Sequence, residues 1–430
     1  MLVRASLLAI ASLISVGSAA TDISFGGAAE ILLAAEPDKV VISRLEVMPE
    51  LDVAGENGVR FFGSLRLRAD ASDRIAPDDP AYPTYADLSR PLTLGDDITA
   101  DLRDFYLEYD MGDASIRLGK QQVVWGQLDG FKLLDQVNPQ SFEQFILEDF
   151  SRSRIGLWSV STEFSLGETD VQLVYAPDNS VHDIPGEDGL YAFHAPRFRF
   201  GAPVGTPSPP PGDLVNEAKA GVFAARVSRY VSGWDLAMVG LSGPDHVPLG
   251  LVTLEGSFPK LSRFYKRRTL LGASASTSFG SFVFRGEAGF MPSRHFNIRN
   301  DGALGIERSD QLTLAAALDF DAPGGLFLSA QLVYDDVLSA PEGLVRPQND
   351  VYLSLYAQKY FRNETIKASA RLYAANSLFE DGLFRAELEH ILSDDLKVAA
   401  GVDLFFGDQK GIYGQFDDRD RLTVSLTRYF

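Results

Sequence analysis

Sixteen stretches of this chain alternate apolar and polar residues with a period of two, and no segment after the first twenty residues holds 18 uncharged apolar residues in a row. Period two puts the apolar residues of an extended segment on one face and the polar residues on the other. The 45% of hydrophobic residues is therefore spread over short segments, and no transmembrane helix is expected. Short segments can span lipid only if every backbone group finds its partner within the protein, which requires a closed barrel.

The pattern is plain at Val59, Phe61, Leu65 and Leu67, which face away from Arg60, Ser64, Arg66 and Arg68. It recurs to the last ten residues, where Leu422, Val424, Leu426 and Phe430 oppose Arg421, Thr423 and Ser425. Between these stretches short and long connections alternate without a break. Short turns rich in Gly, Asn and Asp fall at 111–113, 167–168, 232–233, 280, 321–325, 362–363 and 393–394. Long connections fall at 70–100, 125–156, 177–219, 243–266, 291–308, 336–349, 375–381 and 407–419. A soluble sandwich has no reason to keep that parity, whereas outer-membrane barrels have short periplasmic turns and long external loops. Residues 23–33 and 41–53 alternate more weakly and supply one further hairpin. The expected fold is thus all-β: a transmembrane antiparallel up-and-down barrel of eighteen strands, or of sixteen if 23–53 is a periplasmic extension.

Residues 1–20 read as a signal peptide, with Arg4, the apolar run Leu7–Val16 and the small residues Ser18-Ala19-Ala20 before cleavage. The mature chain then starts at Thr21, and 21–430 form a single barrel domain in the cell outer membrane. The net charge of −20 argues against nucleic acid as a partner and fits acidic outer loops. Outer-membrane lipid and lipopolysaccharide are the expected surroundings. Cysteine is absent, so there are no disulfides or thiolate sites. A final strand ending on Phe430 resembles the closing strand of bacterial outer-membrane barrels. That resemblance implies the barrel-assembly machinery as a partner, reading the terminal aromatic.

One connection differs from the rest. Asn138 can cap a helix with Pro139 at its first position, and Phe142, Phe145, Ile146 and Phe150 follow at helical spacing. A short helix is expected within 138–152. Its apolar stripe needs a surface to cover, and a place inside the barrel would make the segment a constriction. Lys132, Glu143, Glu148, Asp149, Arg152 and Arg154 are then the charges nearest a solute's path.

Gly119, Lys120 and Gln121, then Trp125-Gly126 and Asn138-Pro139, resemble the Gly-Arg-Gln, Trp-Gly and Asn-Pro signature of a Gram-negative outer-membrane family of unknown function. That family is distantly similar to alginate-export-type porins. Lys120 replaces the usual Arg, and Gly156 stands where Pro is common. The resemblance implies a porin-like channel for small solutes, lipidic or poorly soluble compounds among them. It carries over no catalytic residue.

The residues themselves offer little catalytic chemistry: no Gly-x-Ser-x-Gly, no phosphate loop and no His-Glu-x-x-His. No enzyme activity, cofactor or metal is expected. Asp183 and Asp245 adjoin His182 and His246, and read as solvated loop pairs. The pore-lining candidates are Arg60, Arg66, Arg68, Asp104, Glu108, Arg117, Arg285, Glu287, Arg371 and Arg385. Arg60, Arg66, Arg68 and Arg117 could form a basic ladder opposed by acids across the pore. A channel is the leading functional reading; a surface-exposed interaction or structural barrel without transport is the alternative. An outer-membrane hydrolase would need a triad assembled at the rim.

Overall fold

The computed structural model describes residues 21–72, 84–95, 97–207, 211–216, 220–255 and 258–430; the segment read as a signal peptide lies outside them. Eighteen antiparallel strands, numbered in chain order, form a closed barrel. The first six are β1 (Thr21–Glu36), β2 (Lys39–Gly55), β3 (Val59–Asp70), β4 (Ile98–Asp110), β5 (Ala114–Gln121) and β6 (Leu157–Leu166). Next come β7 (Thr169–Ala176), β8 (Val222–Val231), β9 (Trp234–Pro244), β10 (Arg267–Phe279), β11 (Phe282–Asn300) and β12 (Ala303–Ala322). The last six are β13 (Leu326–Leu338), β14 (Asn349–Phe361), β15 (Ile366–Ala375), β16 (Ser377–Ser393), β17 (Leu396–Gly407) and β18 (Arg421–Tyr429). Residues 23–53 therefore belong to the wall as the hairpin β1–β2, paired from Thr21↔Gly55 to Glu36↔Lys39.

Each strand pairs with its sequence neighbours, and β18 returns to β1 from Ala28↔Tyr429 to Ala35↔Leu422. Closure leaves no edge, which is the condition for a sheet in lipid. Phe430 fastens the seam: its N–H donates to Gly27 O at 3.1 Å, and its ring lies 5.9 Å from that of Phe25. Gly27 is required there, because a Cβ would stand 2.2 Å from Met48 O.

Alternation decides the faces. Leu107, Leu118, Leu173, Met238, Leu271 and Leu332 are exposed on the outside, while Arg44, Glu46, Arg66, Asp403 and Arg421 are buried within. A barrel in lipid inverts the soluble pattern in this way.

Two expected loops turn out to be strand. Residues 291–308 continue the β11–β12 hairpin as far as Asn300↔Ala303, past a register shift between Met291 and Arg294. Residues 375–381 contain only a corner at Asn376, whose φ is 59°. Pairing continues there because neighbouring strands offer free backbone partners, which local polarity does not reveal. Over the long-loop end, Leu249–Glu255 and Phe258–Tyr265 form a hairpin to which Pro211–Asn216 adds in parallel.

The helix of 138–152 shrinks to one turn, Phe150–Ser153. Phe145 has φ 53°, a left-handed conformation that no helix carries. The N–H groups of Ser141 and Phe142 donate instead to Ser153 O and Asp183 O, both at 2.7 Å. Tertiary bonds override the helical spacing.

Candidate functional site

The connection between β5 and β6 crosses the barrel interior. Its N–H groups at Gln127 and Leu134 donate to the Glu287 carboxylate of β11 at 2.5 and 3.1 Å, and Gly130 N donates to Gln331 of β13 at 3.0 Å. Arg285 of β11 donates to Gln127 O at 2.5 Å and pairs with Asp129 at 2.8 Å. Arg371 of β15 donates to Asp129 O at 3.2 Å, and Arg385 of β16 to Leu147 O at 3.1 Å. Phe131 packs against Tyr352 and Tyr373, while Phe145 meets Phe405, Tyr413 and Phe416. The expected packing surface exists, without the helix.

On the opposite wall the acids of the segment meet the arginines of β3. Glu148 pairs with Arg66 and lies 3.9 Å from Arg44, Arg66 also binds Glu46 at 2.7 Å, and Arg68 pairs with Glu143 at 2.6 Å. Arg152 reaches Glu30 at 2.8 Å and Glu46 at 3.5 Å, and Arg154 pairs with Asp135. Burial alone would raise the Glu148 pKa, but Arg66, Arg44 and Arg68 outweigh it and hold the carboxyl at about 2. Asp149 caps the single helical turn through its carbonyl, which accepts from Arg152 N and Ser153 N.

Arg60, Arg66, Arg68 and Arg117 therefore form no open ladder. Arg60 is bound by Asp52, and Arg117 by Glu108 at 2.6 Å while stacking 4.5 Å over Tyr106. Asp104 accepts from Gln122 at 2.9 Å.

The signature residues tie the two ends of the segment together. Asn138 Oδ1 accepts from Val123 N at 2.8 Å, and its Nδ2 donates to Gln121 O at 3.2 Å and Ile155 O at 2.8 Å. Pro139 O accepts from Ile155 N at 2.9 Å. Lys120 is buried and pairs with Asp101 at 3.5 Å, and Gln121 donates to Ser159 O at 3.2 Å. Trp125 donates to Gln172 at 2.5 Å. Gly119 has φ 138°, and a Cβ there would stand 2.2 Å from Phe105 O. Gly126 would bring a Cβ to 3.0 Å from Asp135 Cβ, and Gly156 would bring one to 2.4 Å from Arg103 O. Asn138→Leu is expected to free the neck of the segment, since each buried group left unbonded costs about 1–3 kcal/mol. Trypsin digestion of the folded barrel should then cut within 122–156, where the parent chain resists; equal resistance would mean the knot is dispensable.

Above the segment lies a cavity of about 2410 Å³, with more basic than acidic side chains in its wall although the chain is acidic. Arg197 binds Asp350 at 2.7 Å, Arg346 binds Asp335 at 2.5 Å, and Arg294 binds Asp245 at 2.6 Å. The histidine–acid pairs are not solvated. Asp183, Asp245 and His246 are buried, and the His182 and His246 rings lie 4.9 Å apart. Burial drives the His182 pKa down to about 3, and that of Asp183 up to about 6. Neighbouring loops enclose them: the Asp183 carboxylate accepts from Tyr85 at 3.1 Å and Ser141 at 3.2 Å, and His182 Nδ1 accepts from Gln140 N at 3.0 Å. The other loops interlock as well. Gln415 Oε1 accepts from His194 N and Ala195 N, and the Asp381 carboxylate accepts from Ile412, Tyr413 and Gly414 N–H at 2.8 Å. Sequence reasoning missed Asp381, Asp350, Gln415 and Glu30; nothing in the local pattern distinguishes them from other polar residues of strands and loops.

No protein-family model and no curated protein matches the chain. Solved structures similar to it include OccK2 of Pseudomonas aeruginosa in complex with glucuronate, 10% identical over 95% of this chain and 98% of that one, with a TM-score of 0.53. OccAB1 of Acinetobacter baumannii is 8% identical over 95% and 96%, also with a TM-score of 0.53. OmpF of Salmonella typhi is 8% identical over 95% and 97%, with a TM-score of 0.43. At such identities the likeness concerns the fold. The structural neighbours of this chain are Gram-negative outer-membrane porins.

Proposed function

We propose that this chain is a porin-like channel of the outer membrane, through which small solutes diffuse past a constriction formed by residues 122–156. The observation that carries this reading is the segment bound to inward side chains on opposite walls, from Glu287 and Arg371 to Arg66 and Arg68. A wall element alone would need no such crossing. Solutes would enter through the large cavity, whose aromatic and basic wall suits poorly soluble as well as polar compounds, and would pass the charges of Glu143 and Arg68, with Lys132 Nζ buried beside the Phe150 ring.

The same reading includes cleavage of a signal peptide near Ala20 and contact of the outer loops with lipopolysaccharide. It also includes recognition of β18 and Phe430 by the barrel-assembly machinery, and membership of the family that its Gly119, Trp125 and Asn138 motifs resemble. None of the site residues is assigned catalysis.

Purified protein in planar lipid bilayers should give discrete current steps, and should migrate differently on gels before and after boiling. A heat-modifiable barrel that carries no current would overturn the channel reading in favour of a surface-interaction protein.

A further inference from the structure

The outer face of β6 to β10 carries a groove of about 540 Å³, on the lipid side of the wall. Its floor is the cross-strand pair Ala225↔Gly240, and the neighbours in that row are Leu173 on one side and Leu271 on the other. Both leucines are exposed, as are Tyr175 and Phe223, whose rings stack 4.7 Å apart along one flank. Other outward glycines are covered by an aromatic ring: a Cβ at Gly63 would lie 3.3 Å from the Phe61 ring, and one at Gly286 would lie 3.5 Å from the Phe284 ring. A Cβ at Gly240 would meet, among the described residues, only Leu271 Cδ2 at 3.9 Å. The wall is left open there, and close packing requires something from the lipid side to fill it.

Arg267 stands at the long-loop end of this groove. It opens β10 and faces outward like Thr269 and Leu271, since Arg268 and Leu270 are buried on the inner face. Its guanidinium lies 5.7 Å from the centre of the Phe223 ring. Nε donates to Ser242 Oγ at 2.9 Å, and the two Nη atoms donate to Gly221 O at 3.1 Å and Ser242 O at 3.0 Å. All three acceptors are neutral, and among the described residues no carboxylate pairs with Arg267. A guanidinium has five N–H groups, so two remain to donate. A positive charge held rigid at the lipid boundary without a counter-ion is complementary to a phosphate.

We infer that the groove seats one acyl chain of an anionic lipid of the outer leaflet, with the lipid's phosphate on Arg267. The chain runs from Thr269 and Ser242 over Gly240 toward Met238, which is exposed on the same face. The phosphate supplies the charge that Arg267 lacks, and the chain supplies the contacts that Gly240 leaves unmade. This site lies outside the wall and does not depend on whether the barrel conducts.

The test is native mass spectrometry of the detergent-solubilised full chain, titrated with dimyristoylphosphatidic acid. Dimyristoylphosphatidylcholine, with the same chains and no net charge, is the control. The parent barrel should retain one phosphatidic acid molecule, bound about tenfold more tightly than phosphatidylcholine, as a charge-assisted pair would give. Arg267→Gln should bind phosphatidic acid about tenfold more weakly and lose that preference. Gly240→Leu fills the groove and should weaken both lipids about tenfold. Heat modifiability confirms that each variant is folded. Equal binding of the two lipids by the parent, or parent-like binding by either variant, would overturn the site. Displacement of the lipid by inorganic phosphate would overturn it in favour of a free-anion site. A solubilised oligomer that Gly240→Leu splits into single barrels would overturn it in favour of a second copy of the chain seated on this face.

Discussion

Replacing residues 130–152 with a short Gly-Ser linker is expected to raise single-channel conductance several-fold and to weaken solute selectivity, while heat-modifiable folding persists. The barrel wall does not depend on this segment for its ladder: β5 and β6 pair directly from Ala114↔Phe164 to Gln121↔Leu157. What the linker removes is material inside the wall, including the Phe131 contacts with Tyr352 and Tyr373 and the Phe145 contacts with Phe405 and Phe416. Burial of each such side chain is worth roughly 1.5–3 kcal/mol, so the segment in the parent chain stays seated. The deletion also leaves Arg66 and Arg68 without Glu148 and Glu143, which turns the exposed wall positive. Selectivity should accordingly shift toward anions, as reversal potentials in a salt gradient would register. Unchanged conductance would place the segment outside the path of ions.

The second large effect concerns Glu148. Glu148→Gln keeps the shape but removes the charge that Arg66 and Arg44 face in a buried setting. Breaking a buried pair by neutralising one partner costs about 3–5 kcal/mol, more than exposed pairs contribute. The sign with pH follows from the depressed pKa of about 2 against the ordinary 4.5. Stabilisation by Glu148 is complete above pH 4.5 and is lost as pH falls toward 2, because the released carboxyl binds its proton first. The parent channel should therefore hold a steady current at pH 5, and begin to flicker or widen only on further acidification. Glu148→Gln should flicker already at neutral pH. A quiet Glu148→Gln channel would show that the other anchors, such as Arg385 to Leu147 O, suffice alone.

The wall was legible because lipid imposes one rule on every strand, and Phe282, Phe284 and Phe290 against Arg285 and Glu287 obey it as clearly as the last strand does. Where strands rise beyond the lipid the rule weakens. Past Met291, Phe296 and Ile298 still alternate with His295, Asn297 and Arg299, but the run is short and lies between Pro292-Ser293-Arg294 and Asn300-Asp301-Gly302, so a hairpin reads as a loop. The segment 122–156 was legible in one respect only. Phe145 is buried and Phe131, Phe142 and Phe150 are half-buried, but the spacing of Phe142, Phe145 and Ile146 suits a helix, and the backbone instead follows Asn138, Asp183 and Ser153. Partners such as Glu148 with Arg66, far apart in the chain, leave no mark in local pattern.

Gly130 and Ser354 offer the most direct measurement of whether this segment reaches across the barrel. A Cβ at Gly130 would lie 3.0 Å from Ser354 Cβ on β14, and the chain has no cysteine of its own. A disulfide needs Cβ atoms about 3.5–4.5 Å apart, so a small adjustment suits Gly130→Cys with Ser354→Cys. After mild oxidation of the folded double variant, both thiols are expected to be lost to maleimide labelling and to return on reduction. Two thiols that stay fully reactive after oxidation, in a barrel that is still heat-modifiable, would contradict the placement of the segment inside the barrel.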